Sequence, residues 1–421
     1  MQAEHTLAAP RLGASAPTVP RLSRRVGFWA IAFAFLSVTA LSTAPSALYG
    51  LYERHEHFSP ITITLIYAVY AAGVTTSLLL AGHVSDWYGR KAVLIPAVAL
   101  AVAATVLFIS WQSLTGLLVA RVITGLALGA TVATATAYIA DLDAGPDGAV
   151  TRRAGAVGRI AQVGGLAIGP LASGVLARYA GGGVTLPYVV LLVALVVAML
   201  AVALTPEGRP AAHPLPSYQP QRPTVPAQAR GQFLAAIAGA ALAFATWGLF
   251  AGLAGRFLAG PLHHPSPALT GAAIFLTFGM GVVVQTTTTN WPTHRLLSAG
   301  IPTIILGLAI LVASAWTAPP SLALFLTAGI VSGLGASAIF KASFNIVLST
   351  SHVDDRAGAL ATLFTAGYMA LSLPVLGLGV VLLYLSPKVT LLIFGLVVGL
   401  GILAAAPTLL RDGRPRARSL A

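Results

Sequence analysis

Apolar residues in this chain come in runs of about twenty, which is the length an α-helix rising 1.5 Å per residue needs to cross the ~30 Å hydrocarbon core of a bilayer. The runs fall near 28–51, 60–82, 92–111, 114–140, 155–178 and 184–205, and again near 233–257, 268–290, 297–316, 320–349, 357–384 and 388–409. Between the two sets, Pro206 to Gln232 is rich in Pro, Gln and Arg and reads as a flexible linker. The pattern predicts an all-α membrane protein with about 12 transmembrane helices in two six-helix bundles, at 28–205 and 233–410. A polar tail precedes them at 1–27, the linker spans 206–232, and a second tail follows at 411–421.

Composition agrees with lipid as the solvent: 57% of the 421 residues are hydrophobic and only 8% are charged, too few to cover a water-exposed surface. Cysteine is absent, which excludes disulfides, thiolate metal sites and cysteine nucleophiles. A formal net charge of +13 could suggest nucleic acid, but the cations punctuate apolar runs instead of gathering on one soluble face. Their placement sets the topology. Arg11, Arg21, Arg24, Arg25, Arg90, Lys91, Arg152, Arg153, Arg159, Arg209, Arg222, Arg230, Arg295, Arg356, Arg411, Arg414, Arg416 and Arg418 fall on one side, and only Arg54, Arg178, Arg256 and Lys388 on the other. Lys and Arg collect in cytoplasmic loops, so both termini are expected in the cytoplasm, in a multi-pass protein of the plasma membrane. The first apolar run is too long for a cleavable signal and is expected to be retained.

The two sets of spans resemble each other. Asp86-Trp87-Tyr88-Gly89-Arg90-Lys91 after the second span aligns with Asn290-Trp291-Pro292-Thr293-His294-Arg295 after the eighth. Arg153-Ala154-Gly155-Ala156-Val157 before the fifth span aligns with Arg356-Ala357-Gly358-Ala359-Leu360 before the eleventh, at nearly the same offset. Two matches at one offset in equivalent loops point to a duplicated unit.

With these motifs the chain resembles the major facilitator superfamily (MFS) over nearly its whole length, and in particular its 12-span drug and metabolite efflux members. The strongest element is Gly82-His83-Val84-Ser85-Asp86-Trp87-Tyr88-Gly89-Arg90-Lys91, similar to the signature of the loop between the second and third spans. Trp87 stands where the family usually has its first basic residue. The resemblance implies a conformational gate made of Gly82, Asp86, Gly89, Arg90 and Lys91, with Asp86 near the start of the eleventh span and Arg90 paired with Asp141. Leu117-x-x-x-Arg121-x-x-x-Gly125 resembles the family's fourth-span motif. Arg121 lies about two turns inside the membrane, where a cation must line a wet cavity, find partners or snorkel to the headgroups. In the fifth span, Gly165, Gly169, Pro170 and Gly174 resemble the Gly-Pro motif of proton antiporters, although Ala156 and Ser173 replace glycines in it. Read on its own, the same segment is a close-packing face with a proline bend.

Lys341 is the one lysine placed inside a span, the tenth. Gln162, Gln285, Asn345, Tyr67, Tyr70, Trp247 and Tyr368 could add hydrogen bonds and aromatic walls to a central cavity, the usual make-up of a small-ligand site. His263-His264 and His55-x-His57 lack the partners a zinc site needs, and no phosphate-cradling loop for ATP occurs, so neither metal nor cofactor is expected. The chain is therefore read as a non-enzymatic secondary transporter, a monomer in the lipid bilayer, with a small-molecule substrate and no nucleic-acid partner. Export by proton antiport is the first reading, with protons as coupling partner. Uptake or facilitated passage of a polar or anionic metabolite is the alternative, and a non-transporting membrane sensor the rival from another class.

Overall fold

The computed structural model describes residues 22–56, 58–82, 84–144, 151–209, 218, 220, 223–226, 229–352 and 355–412. The expected first tail is thus described only from Leu22, the linker only in part, and the second tail only at its first two positions.

The chain runs as α1 (Arg24–Thr43), a 3₁₀ turn (Ala44–Ala47), α2 (Tyr49–His55), α3 (Pro60–Ala81), α4 (Val84–Tyr88), α5 (Arg90–Ser110), α6 (Leu114–Asp143), α7 (Arg152–Tyr179) and α8 (Thr185–Leu204). It continues as α9 (Arg230–Ala259), α10 (Pro267–Thr287), α11 (Thr293–Trp316), α12 (Leu322–Thr350), α13 (Arg356–Tyr384) and α14 (Pro387–Asp412). Among the described residues 12 spans are long and apolar enough to cross a membrane, the first of them combining α1, the turn and α2. Side-chain oxygens cap several starts: Ser59 accepts from the Thr62 N–H, Thr151 from Ala154 and Ser321 from Leu324.

Two boundaries differ from the sequence reading in ways that matter. Pro45, inside an apolar run, has no N–H to continue the helix, so the first span breaks into a tighter 3₁₀ turn and restarts as α2, carrying Glu53 within helix. The fourth span runs on to Asp143, three residues past the apolar run, which places Asp141 in the last turn of α6.

Burial ranks the spans. The most apolar windows of the α1 span, α6 and α9 are 72%, 67% and 67% buried, whereas those of α8 and α14 are 28% and 33% buried. The first three therefore line the middle, and the last two face lipid with side chains such as Val193, Leu200, Val397 and Leu400 exposed. The halves meet where α3 packs on α13 and α7 on α10. We call the end bearing Arg24 and Asp412 the termini face and the other the far face. Two residues from the middle of the linker touch the bundles at the termini face. The Tyr218 hydroxyl donates to the Leu80 carbonyl (3.0 Å) and its ring meets Trp87 edge-on, while the Thr362 hydroxyl donates to the Thr224 carbonyl (3.3 Å).

Candidate functional site

Arg121 is fully buried, at 0% exposure, which rules out snorkelling to the headgroups. Its guanidinium donates to three main-chain carbonyls, of Ser42 (2.6 Å), Ile66 (3.2 Å) and Tyr67 (3.4 Å), and lies 4.5 Å from the Tyr70 ring centre and 5.8 Å from that of Tyr67. Ser42 sits just before the break at Pro45, where the change of helical pitch leaves carbonyls without their usual donors, and Arg121 supplies one. Among the described residues no carboxylate lies within ion-pair distance of it. Carbonyl dipoles and two aromatic faces offset the desolvation of this cation.

Beside Arg121 lies a cavity between the halves, lined by Tyr67, Tyr70, Arg121 and Gln162 from one bundle and by Trp247, Gln285 and Tyr368 from the other. Its volume is about 60 Å³, room for a few waters, so it must widen before a solute enters. The Tyr70 and Tyr368 rings meet edge-on at 6.2 Å across the seam. The Tyr67 hydroxyl and the Trp247 Nε1 are buried without a hydrogen-bond partner, two donors free for a solute's acceptors. Sequence reasoning missed Ser42, Thr43, Phe244, Phe278, Phe340 and Phe364, which also line the cavity. Nothing in a chain this apolar marks those phenylalanines apart from core.

Two of the expected residues stand outside that lining. Lys341 Nζ donates to the Thr288 carbonyl (2.9 Å) and hydroxyl (3.0 Å), setting a cation at the C-terminal end of α10. Asn345 lies one further turn along α12, partly buried. Arg159, counted from sequence among the cations of the termini side, lies inside α7 and is exposed.

The loop motif at the termini face forms a charged knot. Arg90 is 4% exposed and binds Asp141 (2.7 Å), Asp86 (2.8 Å) and the Ser85 hydroxyl (3.0 Å). Gly89 adopts φ +94°, a region that side-chain-bearing residues avoid, and this turns the chain from α4 into α5. Glu207, which the sequence did not single out, accepts from the Arg90 N–H (2.9 Å) and Lys91 N–H (3.3 Å), capping α5 from 117 residues away. Lys91 Nζ reaches the Ala203 carbonyl (2.7 Å), and Gly82 caps the end of α3. No hydrogen bond or ion pair joins Asp86 to α13 among the described residues. Its partners are Arg90 and, at 3.7 Å, Arg209.

The Gly-Pro segment packs. A Cβ on Gly165 or Gly169 would strike α1, at Thr39 Oγ1 or the Ala40 carbonyl. One on Gly174 would lie 2.2 Å from the Pro267 carbonyl of α10, and one on Gly271 would lie 2.3 Å from that of Pro170. Pro170 cannot donate to the Leu166 carbonyl one turn back, and the Thr43 hydroxyl of α1 does so instead (3.0 Å). On the same face Arg256 of α9 pairs with Glu53 of α2 across the seam.

The family model described as Major Facilitator Superfamily matches residues 28–320. Comparison with curated proteins by sequence finds no match. Among solved structures, the chain is similar to a point mutant of the peptide transporter POT, with a TM-score of 0.72 and 13% identity, covering 93% of this chain and 97% of that one. It is also similar to a bacterial homolog of the human lysosomal transporter Spinster (TM-score 0.67, 15% identity, 94% and 99% covered). A third is the human organic anion transporter MFSD10 (TETRAN), with a TM-score of 0.64, 16% identity, and 92% and 100% covered. At these identities the likeness speaks for the fold.

Proposed function

The chain belongs to the Major Facilitator Superfamily, and on that premise we propose that it is a secondary carrier of a small amphipathic solute, neutral or anionic, moved by alternating access. One observation carries this reading: the fixed charge in the cavity between the halves is the Arg121 cation, and no carboxylate or histidine lines that cavity among the described residues. An organic cation would meet a like charge there with no acid to offset it. The orphan donors Tyr67 and Trp247 favour a solute with hydrogen-bond acceptors, and the aromatic walls favour an apolar body.

Export by proton antiport across the plasma membrane is supported by the resemblance in the fifth span, whose glycines serve a packing seam. Coupling to protons then falls to Asp141 at the termini face or to a proton borne by the solute, because the cavity offers no titrating acid. The arginine distribution supports a cytoplasmic termini face, which tags at positions 1 and 421 would report. Flux of matched neutral, anionic and cationic compounds into proteoliposomes, with and without a pH gradient, tests the proposal. Neutral and anionic compounds should move and permanent cations should not. Concentration of a permanent cation by a pH gradient, surviving Asp141→Asn, would overturn the reading of the cavity's charge.

A further inference from the structure

Gly281 of α10 lies between two helices from opposite halves: its position faces Val163 of α7 and the Ser337 hydroxyl of α12. One turn from that point towards the termini face, α7 presents Arg159, α10 presents Gln285 and α12 presents Lys341. Gly155, Arg159, Gln162 and Leu166 recur at steps of four, three and four residues, a single face of α7, and Gln162 and Leu166 on it line the cavity. The two cations therefore stand at the threshold of the cavity on its termini side, one from each half.

Neither has an acidic partner among the described residues. Lys341 spends two of its three donors on the neutral Thr288 and keeps one. Arg159 makes no hydrogen bond or ion pair among the described residues, and its Nη1 folds over Gly155. The charge that acts on Lys341 is Arg159 itself. Two like charges set beside α10, one from each half, are unfavourable unless something negative joins them.

We propose that Arg159 and Lys341 form a seat for the carboxylate or comparable acidic group of an organic anion, whose apolar body enters the aromatic cavity above. This rests on the carrier reading and narrows it to anions. Empty, the pair pushes α7 and α12 apart. Occupied, the anion draws them together and favours closure of the termini face over the solute, a differential contact of the kind that alone can shift a two-state equilibrium.

Calorimetric titration of the purified protein, in nanodiscs of phosphatidylcholine, with 2-naphthoate and with 2-naphthamide tests the seat. The acid should bind at least about tenfold tighter than the amide, which is about 1.4 kcal/mol. Arg159→Gln and Lys341→Gln should each remove that preference and leave binding of the amide unchanged, which also shows that the variants are folded. Equal affinity for the two compounds, or a preference that survives both substitutions, overturns the seat. Loss of the preference when phosphatidylglycerol is added to the nanodiscs would assign the seat to a lipid headgroup and overturn the solute. Flux of both compounds into proteoliposomes keeps the two readings apart. Preference in binding without flux sinks the carrier and spares the seat, whereas flux without preference does the reverse.

Discussion

At the scale of the residue, buried polar groups here are matched with backbone atoms that prolines have stranded. Arg121 answers the break at Pro45, and Thr43 answers Pro170. Arg121→Ala should leave the Ser42 carbonyl without its donor at about 1–3 kcal/mol, whereas the Ile66 and Tyr67 carbonyls keep their partners within the continuous α3, so the apparent melting temperature falls and flux is lost. Arg121→Lys keeps the charge but not the planar fork and should recover stability only in part. An alanine variant as stable as the parent would show that the Ser42 carbonyl does not depend on Arg121. Thr43→Val, close in shape, should cost about 1–3 kcal/mol in thermal or denaturant unfolding, while Thr43→Ser stays within about 0.5 kcal/mol of the parent. Equal melting of the two variants would deny the hydroxyl its role. Arg121 was legible from sequence because a charge inside an apolar run stands out. Arg159 was not singled out, because a cation near the start of a span serves topology as readily as it serves a site. The partners of Arg121 were invisible for another reason: they are main-chain carbonyls, which any residue supplies.

At the scale of the element, the twelve spans were readable because lipid permits little besides long apolar helices. Their count and order follow from the run lengths. The break in the first span was hidden since Pro45 lies among apolar and hydroxyl residues, and proline inside a membrane helix often only bends it, as Pro170 does within the continuous α7. The cap on α5 was hidden as well, because Glu207 follows α8 and no local pattern links it to Arg90. Helix contact at the far face depends on bare backbone, which yields a test. Gly174→Val should drive a side chain into the Pro267 carbonyl and part α7 from α10. With no cysteine in the chain, Ser266→Cys is a unique probe beside that seam. Maleimide should label it several-fold faster in the Gly174→Val background, and an unchanged rate would mean that the glycine contact does not hold the seam.

At the scale of the whole molecule, the halves are fastened differently at their two ends. The far face closes through glycine contacts and the Glu53–Arg256 pair, whereas the termini face carries Arg159 and Lys341 without a described acid between them. Each side chain of the Glu53–Arg256 pair is about a third exposed, so the pair contributes about 0.5–1 kcal/mol after solvent screening. Glu53→Gln should therefore raise the population open at the far face by roughly two- to fivefold, read by the same Ser266→Cys labelling. Exchanging the two charges, Glu53→Arg with Arg256→Glu, should restore the parent rate, and failure of the exchange would remove the pair from the gate. The partial linker contacts bear on the opposite end. Tyr218 is tied to the first half at Leu80 and Thr224 to the second at Thr362, so the anchors stand six residues apart along the chain. Fully stretched, six residues reach about 20 Å. While both anchors hold, the connection is a leash: the aperture at the termini face cannot outgrow the chain that bridges it, and a longer leash would admit a wider one.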